Sequence, residues 1–235
     1  MTRQIPLKLE PHPDYAAADL LQSEANRAAL ALVRSWPEWA LPTAVIWGPA
    51  GSGKTHLAHI WAERAGASLI DADDLSKLDL KTLPQNPHIA LDFEAVDVPR
   101  PDERLMFHLL NMIREKRGAL LIVARTAPSR WGIALPDLES RLKALPSAEV
   151  SPPDDGLFAA VLAKQFSDRQ LVVDRETVEY MAARSERSFA AARRLVARID
   201  QAALASRRLI GKRLAGEVIE ALERESGNAG SGPAS

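Results

Sequence analysis

The chain of 235 residues contains no cysteine. That absence excludes a disulfide scaffold, cysteine-ligated zinc, an iron–sulfur cluster and thiol catalysis. Net charge is also nearly missing: 30 basic side chains face 31 acidic ones, for a formal charge of −1. A chain so balanced has no bulk electrostatic drive toward DNA or an acidic membrane. No run approaches the roughly 18 apolar residues of a membrane helix, and Met1–Asp14 lacks the apolar centre of a signal peptide. The expectation is a cytoplasmic protein with no membrane partner. What the sequence does have is an ordinary share of apolar (46%) and charged (26%) residues, enough to build a sizeable core. At roughly 100–200 residues per domain, that means one large domain or two small ones.

The charge is neutral in sum but uneven in place. Acids outnumber bases from Asp71 to Glu103. From Arg184 to Arg213 the balance reverses: Arg184, Arg187, Arg193, Arg194, Arg198, Arg207, Arg208, Lys212 and Arg213 face only Glu186 and Asp200. A solvated helix face is the plain reading of that run. A surface that meets phosphate, DNA or an acidic partner is the sharper one.

Pro6, Pro11 and Pro13 favour an extended N-terminal arm over residues 1–13. Helical spacing begins near Ser23 through Ala25, Ala28, Ala29, Leu32 and Val33, and ends before Pro37. Short apolar runs then predict strands at Thr43–Trp47, Ala67–Asp71, His88–Phe93 and Ala119–Ala124, with a fifth near Ala144–Val150. Helical spacing lies between them at Leu57–Ala65, Glu103–Arg117 and Asp137–Leu142. Apolar strands alternating with helices imply an α/β fold, a parallel sheet covered on both faces. After Ser151-Pro152-Pro153 the strand pattern stops. Asp154–Asp168, Asp174–Arg184, Ser188–Arg208 and Leu214–Arg224 read as helices, with Asp154 and Asp174 as N-caps. The predicted division is an α/β domain over 14–150, a small all-helical lid over 151–225 and a low-complexity tail over 226–235.

Gly48-Pro49-Ala50-Gly51-Ser52-Gly53-Lys54-Thr55 matches G-x-x-x-x-G-K-[ST]. Glycines let backbone N–H groups curl around phosphate oxygens without a clashing side chain. Lys54 brings charge to the β- and γ-phosphates, Thr55 offers a hydroxyl to Mg²⁺, and the following helix points its positive end at the anion. An apolar strand precedes the motif and a helix follows, as this chemistry needs. The cofactor predicted is ADP or ATP with Mg²⁺, and His56 closes the loop.

The metal needs a second carboxylate. Ile89-Ala90-Leu91-Asp92-Phe93-Glu94 is an apolar strand ending in an acid, and Asp92 would hold Mg²⁺ through water. The next position, where a carboxylate would polarise the attacking water, holds Phe93. Glu94 shares the side of Asp92 only if the strand continues, because successive strand residues face opposite ways. The expectation is firm nucleotide binding with weak intrinsic hydrolysis.

Gly53-Lys54-Thr55-His56-Leu57-Ala58-His59 resembles the P-loop helix of bacterial DnaA-type initiators, within the AAA+ ATPases. Leu135-Pro136-Asp137-Leu138-Glu139-Ser140-Arg141-Leu142 resembles that family's arginine-finger motif. Asn26 resembles the asparagine near the adenine pocket, so Leu20 and Leu21 would flank the base. The resemblance covers roughly Asp14 to Leu222. It implies an AAA+ domain with a helical lid, Arg141 acting in trans on a neighbour's nucleotide, and a polar sensor near Arg125-Thr126. The lid's sensor arginine aligns with Ala190, so Arg193 or, better, Arg194 would reach the phosphates instead.

Within that family, Gln4-Ile5-Pro6-Leu7-Lys8-Leu9 resembles the clamp-docking peptide of the regulatory inactivators of DnaA. An extended arm of this kind places Gln4 in a polar notch and Ile5, Leu7 and Leu9 against an apolar groove. After the lid the sequence leaves no length for the DNA-reading module of an initiator. The resemblance therefore implies a negative regulator that sits on the sliding clamp and accelerates hydrolysis of DnaA-bound ATP. DNA would be met only indirectly or weakly, and a homodimer is possible. Alternatives are an ATP-driven helicase loader or initiator-like ATPase, and a nucleotide-stabilised adaptor on clamp or DNA.

Other features read as structural. His56 and His59 lack a carboxylate placed for zinc. Trp36, Trp39, Trp47 and Trp61 read as packing anchors rather than base-stacking platforms. Asp71, Asp73, Asp74 and Asp79 do not fit a calcium loop and read as an acidic surface loop.

Overall fold

The computed structural model describes residues 21–229, apart from 78, 79, 81–83, 85, 97, 98, 100 and 207. Five strands form one parallel sheet: β1 (Thr43–Trp47), β2 (Ser68–Asp71), β3 (His88–Asp92), β4 (Ala119–Ala124) and β5 (Ser147–Glu149). Their spatial order is β2-β3-β4-β1-β5. The central strand β4, ALLIVA, is buried along its whole length, as its unbroken apolar run demands. The edge strand β2 is largely exposed.

Strand alternation sorts the core into two layers. Val45, Leu120, Ile122, Ile89 and Leu91 face one way and pack with α3 (Glu103–Glu115) and α4 (Pro136–Lys143). Ala44, Ile46, Leu121, Val123 and Ala90 face the other way, against α1 (Arg27–Arg34) and α2 (Lys54–Ala65). Trp61 is the pillar of that second layer. Trp39 stacks on it at 5.4 Å and Trp36 meets it edge-on at 6.2 Å. The Trp39 indole N–H also donates to the Leu32 carbonyl at 2.7 Å. These three tryptophans are packing anchors.

Four helices follow: α5 (Asp155–Asp168), α6 (Arg175–Arg184), α7 (Phe189–Ser206) and α8 (Lys212–Ala229). They bury their own core around Phe158, Phe166, Met181, Leu195 and Ile199. Asp154 and Asp174 cap their helices as predicted, each accepting a backbone N–H at 2.7 Å. Leu21 and Ala25, which precede α1, pack against this helical core. The Ser151 N–H donates to the Ala25 carbonyl at 2.9 Å, so the segment before α1 is tied to the start of the lid.

Two local differences from the sequence reading have simple causes. Helix α2 begins at Lys54 rather than Leu57, because Gly53 ends the loop in a left-handed conformation and the helix starts at once. The acidic stretch after β2 winds into a 3₁₀ turn, Ala72–Lys77, anchored by buried Leu75. Asp79, predicted to lie in that acidic stretch, is outside the described residues. No helix among the described residues is long and apolar enough to cross a membrane.

Candidate functional site

The loop Gly48–Gly53 leaves the carboxyl end of β1 and enters α2, the place where an open α/β sheet receives a ligand. Two of its glycines are required by geometry. Gly51 has φ +70°, and a Cβ there would lie 2.7 Å from the Ser188 Cβ. Gly53 has φ +100°, and a Cβ would meet the Phe189 ring at 3.0 Å. The start of α7 therefore closes directly on the loop. The Phe189 N–H donates to the Gly51 carbonyl at 2.8 Å, and the Ser188 hydroxyl accepts the Ala191 N–H at 3.0 Å.

Lys54 is only 1% exposed. Its ammonium donates to the Pro49 carbonyl at 2.6 Å and the Ser52 hydroxyl at 3.3 Å, and pairs with Glu94 at 2.8 Å. Burial pushes its pKa below the ordinary lysine range, while Glu94 and then Asp92 push back. The charge of Arg125, just past β4, is close enough to disfavour the Lys54 ammonium as well.

Strand β3 delivers Asp92 to the same place. The Thr55 hydroxyl donates to one Asp92 oxygen at 3.3 Å, and the Glu94 N–H donates to the other at 2.7 Å. Burial raises the Asp92 carboxyl above the usual range, and the neighbouring Glu94 charge adds to it. Phe93 turns the other way, into the core, with its ring 5.8 Å from Trp131. The Phe93 N–H still bonds to the Val123 carbonyl at 2.8 Å, so pairing runs one residue past the strand.

That extra pairing brings Glu94 back to the loop. Its carboxylate pairs with Lys54 and accepts the Gly51 N–H at 3.3 Å, where a phosphate oxygen would be held. From the sequence, the place of Glu94 is conditional on the strand continuing, and the Phe93 pairing continues it by one residue. A cleft of about 720 Å³ opens beside it, lined by Asp71, Asp73, Asp74, Asp92, Glu94 and Asp102 among others. That acid lining would repel phosphate, so an anion's place is the loop rather than the cleft.

The remaining predicted residues lie as follows. Asn26 is buried and pins the segment before α1: its amide donates to the Leu21 carbonyl at 2.8 Å and its oxygen accepts the Ser23 N–H at 3.0 Å. Ala190 stands against the Gly51 side of the loop. Arg194 is largely exposed, with its guanidinium 3.6 Å from Glu186. The Thr126 hydroxyl is buried without a hydrogen-bond partner among the described residues. His56 lies in the first turn of α2, next to Thr55. Gln4, Ile5, Leu7, Leu9 and Leu20 lie outside the described residues. Among the described residues no group of three or more His, Asp or Glu is placed to hold a metal by itself.

Arg141 sits on α4, which packs beside α3 under the sheet. Its guanidinium donates to the Asn111 side-chain oxygen at 2.7 Å and lies over the Phe107 ring at 4.5 Å. Glu139, one turn of α4 from Lys143, pairs with it at 2.7 Å and not with Arg141. The basic run in the lid is largely self-neutralised. Arg187 pairs with Asp155, Arg198 with Glu225, Arg208 and Arg213 with Glu217, and Lys212 with Glu176. Arg184 covers the Tyr180 ring at 4.3 Å. Arg207 is outside the described residues.

A parallel sheet with a P-loop at the end of β1, an acid at the end of β3 and a helical lid seated on the loop defines an AAA+-like α/β fold. The solved structures it resembles in fold include those of replication initiators and a branch migration motor. Domain III of the Thermotoga maritima replication initiation protein DnaA superposes with a TM-score of 0.76 at 15% identity, covering 89% of this chain and 97% of that one. Replication initiator DnaA bound to AMPPCP and single-stranded DNA gives 0.65 at 18% identity, covering 80% of this chain and 65% of that one. The Thermotoga maritima RuvB Holliday junction branch migration motor gives 0.67 at 19%, covering 88% and 72%. At these identities the likeness establishes the fold alone, which is that of DnaA domain III. In sequence, the chain is 26% identical over 219 residues to an uncharacterized protein of Haemophilus influenzae, covering 88% of this chain and 94% of that one. No protein-family profile matches the chain.

Proposed function

We propose that this chain binds an adenine nucleotide, ATP or ADP with Mg²⁺, at Gly48–Thr55 and works in DNA replication beside a second AAA+ subunit. The observation that carries this is the buried cation Lys54 facing loop amides, with one amide and the ammonium satisfied by the chain's own Glu94 carboxylate. A site that holds a carboxylate in that way is built for an anion. Thr55 and Asp92 present two hard oxygens 3.3 Å apart, and a buried carboxyl with a raised pKa gains from a cation. Mg²⁺ held there would offset the charge of the phosphates. Leu21, packed on the lid core, and Asn26, which pins the segment before α1, would border the base.

The neighbour has two readings. The structural relatives support an initiator-like or loader-like ATPase most directly, in which the neighbour is another copy and Arg141 acts across the junction. The other reading is an Hda-type regulatory inactivator: Gln4, Ile5, Leu7 and Leu9 dock on the sliding clamp and Arg141 stimulates hydrolysis of ATP held by DnaA. Phe93 in the core, where hydrolysis would need a carboxylate, favours that second reading, because it weakens turnover by the chain itself. ATP turnover by the protein alone separates them. Turnover that rises with concentration and is lost in both Lys54→Ala and Arg141→Ala supports the self-assembling ATPase. Negligible turnover, with acceleration of DnaA-bound ATP hydrolysis on loaded clamp that is lost in Arg141→Ala and Gln4→Ala, supports the regulator. If neither activity depends on Arg141, only a nucleotide-stabilised adaptor survives.

A further inference from the structure

Arg141 is held differently from the ion-paired arginines of the lid, and in the same neutral manner as Arg64, which donates to the Arg34 carbonyl and lies over the Trp36 ring. Arg187, Arg198 and Arg208 of the lid meet carboxylates. Arg141 meets an amide oxygen and an aromatic face, and neither of these carries a charge. The distinction matters physically. A carboxylate would fix the guanidinium but cancel most of its field. A neutral acceptor and a ring quadrupole fix it and leave the charge intact.

The two holders also belong to a larger pattern. Phe107 and Asn111 are four residues apart on α3, and Glu103 lies four residues before Phe107, so all three share one helix face. Glu103 accepts the Ala134 and Leu135 N–H groups, both at 2.7 Å, at the entrance to α4. One stripe of α3 therefore grips α4 at its entrance and Arg141 one turn later. The entrance is held by a carboxylate, where only backbone donors need satisfying. The arginine is held by neutral groups.

We propose that Phe107 and Asn111 are positioning residues for Arg141. They hold its guanidinium aimed and un-neutralised, for the phosphates of a nucleotide carried by a neighbouring AAA+ subunit. This rests on the reading that Arg141 acts in trans. The stripe is a device for preorganisation, so that the arginine need not be ordered as the neighbour arrives.

The test is single-turnover hydrolysis of labelled ATP prebound to DnaA on loaded clamp, or to an Arg141→Ala copy of this chain. The full-length protein, saturated with ADP, is added over a concentration range. Whichever carrier responds to wild type but not to Arg141→Ala is used for the rest. Phe107→Ala and Asn111→Ala should each lower the maximal rate about 10-fold. The concentration giving half-maximal effect and the protein's own affinity for ADP should stay unchanged in both, and so should the melting temperature of Asn111→Ala, whereas Phe107→Ala also loses packing on the core and should melt lower. Phe107→Trp should restore the rate, because indole offers a better face to the cation. Asn111→Asp should hold the guanidinium at least as firmly yet lower the rate, because it cancels the charge.

Normal rates in both alanine variants, beside a dead Arg141→Ala, would overturn the inference and leave the trans reading standing. Faster rates would also overturn it, by making the contacts a resting lock. A wild-type rate in Asn111→Asp would overturn the role of neutrality. A wild-type rate from Arg141→Ala with both carriers would overturn the trans reading and the inference together.

Discussion

Lys54 and Arg141 are both cations that the fold holds still, but by opposite means. Lys54 is buried, and the chain's own carboxylates crowd around it: Glu94 at 2.8 Å, with Asp92 close by. Arg141 is only partly buried and is held by an amide oxygen and a ring. The P-loop site closes its charges on one another, so an incoming anion would have to displace Glu94. The Arg141 site leaves its charge unspent. The first arrangement suits a group that receives a ligand into this chain, and the second suits one offered to another molecule.

The largest expected effect tests the receiving half. Lys54→Ala removes the buried cation that the loop is built around, and should weaken ADP binding at least about 100-fold, measured by calorimetry. Glu94→Gln sharpens the comparison in the other direction. If Glu94 stands where phosphate must go, neutralising it should tighten ADP binding by about 5- to 10-fold. Unchanged affinity would mean that Glu94 does not compete.

Asp92→Asn probes the same crowding through pH. The Asp92 pKa is raised by burial, so its contribution to stability is full below the ordinary value of 3.8 and is lost as pH rises through its folded-state pKa. The nucleotide-free Asn variant should therefore gain stability relative to wild type as pH climbs from 3.8 toward neutrality, followed by urea unfolding. A difference that does not vary with pH would contradict this. The smallest effect belongs to the offering half. Arg141→Ala should change stability by no more than about 0.5–1 kcal/mol, because the guanidinium is only partly buried and its contacts are to neutral groups. It should leave ADP affinity untouched.

These differences also explain what was legible in the sequence. The strands and the loop are local: TAVIW, ALLIVA and GPAGSGKT each carry their own periodicity or backbone requirement, and the fold follows from them. Asp154 and Asp174 as helix caps are local in the same way. Glu94 was harder, because its place depends on one extra hydrogen bond, Phe93 to Val123, made by another strand. The contact of Ser188 and Phe189 with Gly51 and Gly53 depends on how the lid sits and has no local signal. The stripe Glu103, Phe107, Asn111 does have one, a spacing of four on one helix face. Its meaning appears only when α4 is packed beside α3.

If Lys54 receives a nucleotide while Arg141 is offered to another, a single mixing experiment separates the two roles. Labelled ATP is prebound either to DnaA on loaded clamp or to an Arg141→Ala copy of this chain, and ADP-saturated wild-type protein is then added. Phosphate release should accelerate with at least one of these carriers, and with neither when the added protein is ADP-saturated Arg141→Ala. Equal release with wild type and Arg141→Ala on both carriers would contradict that division of roles.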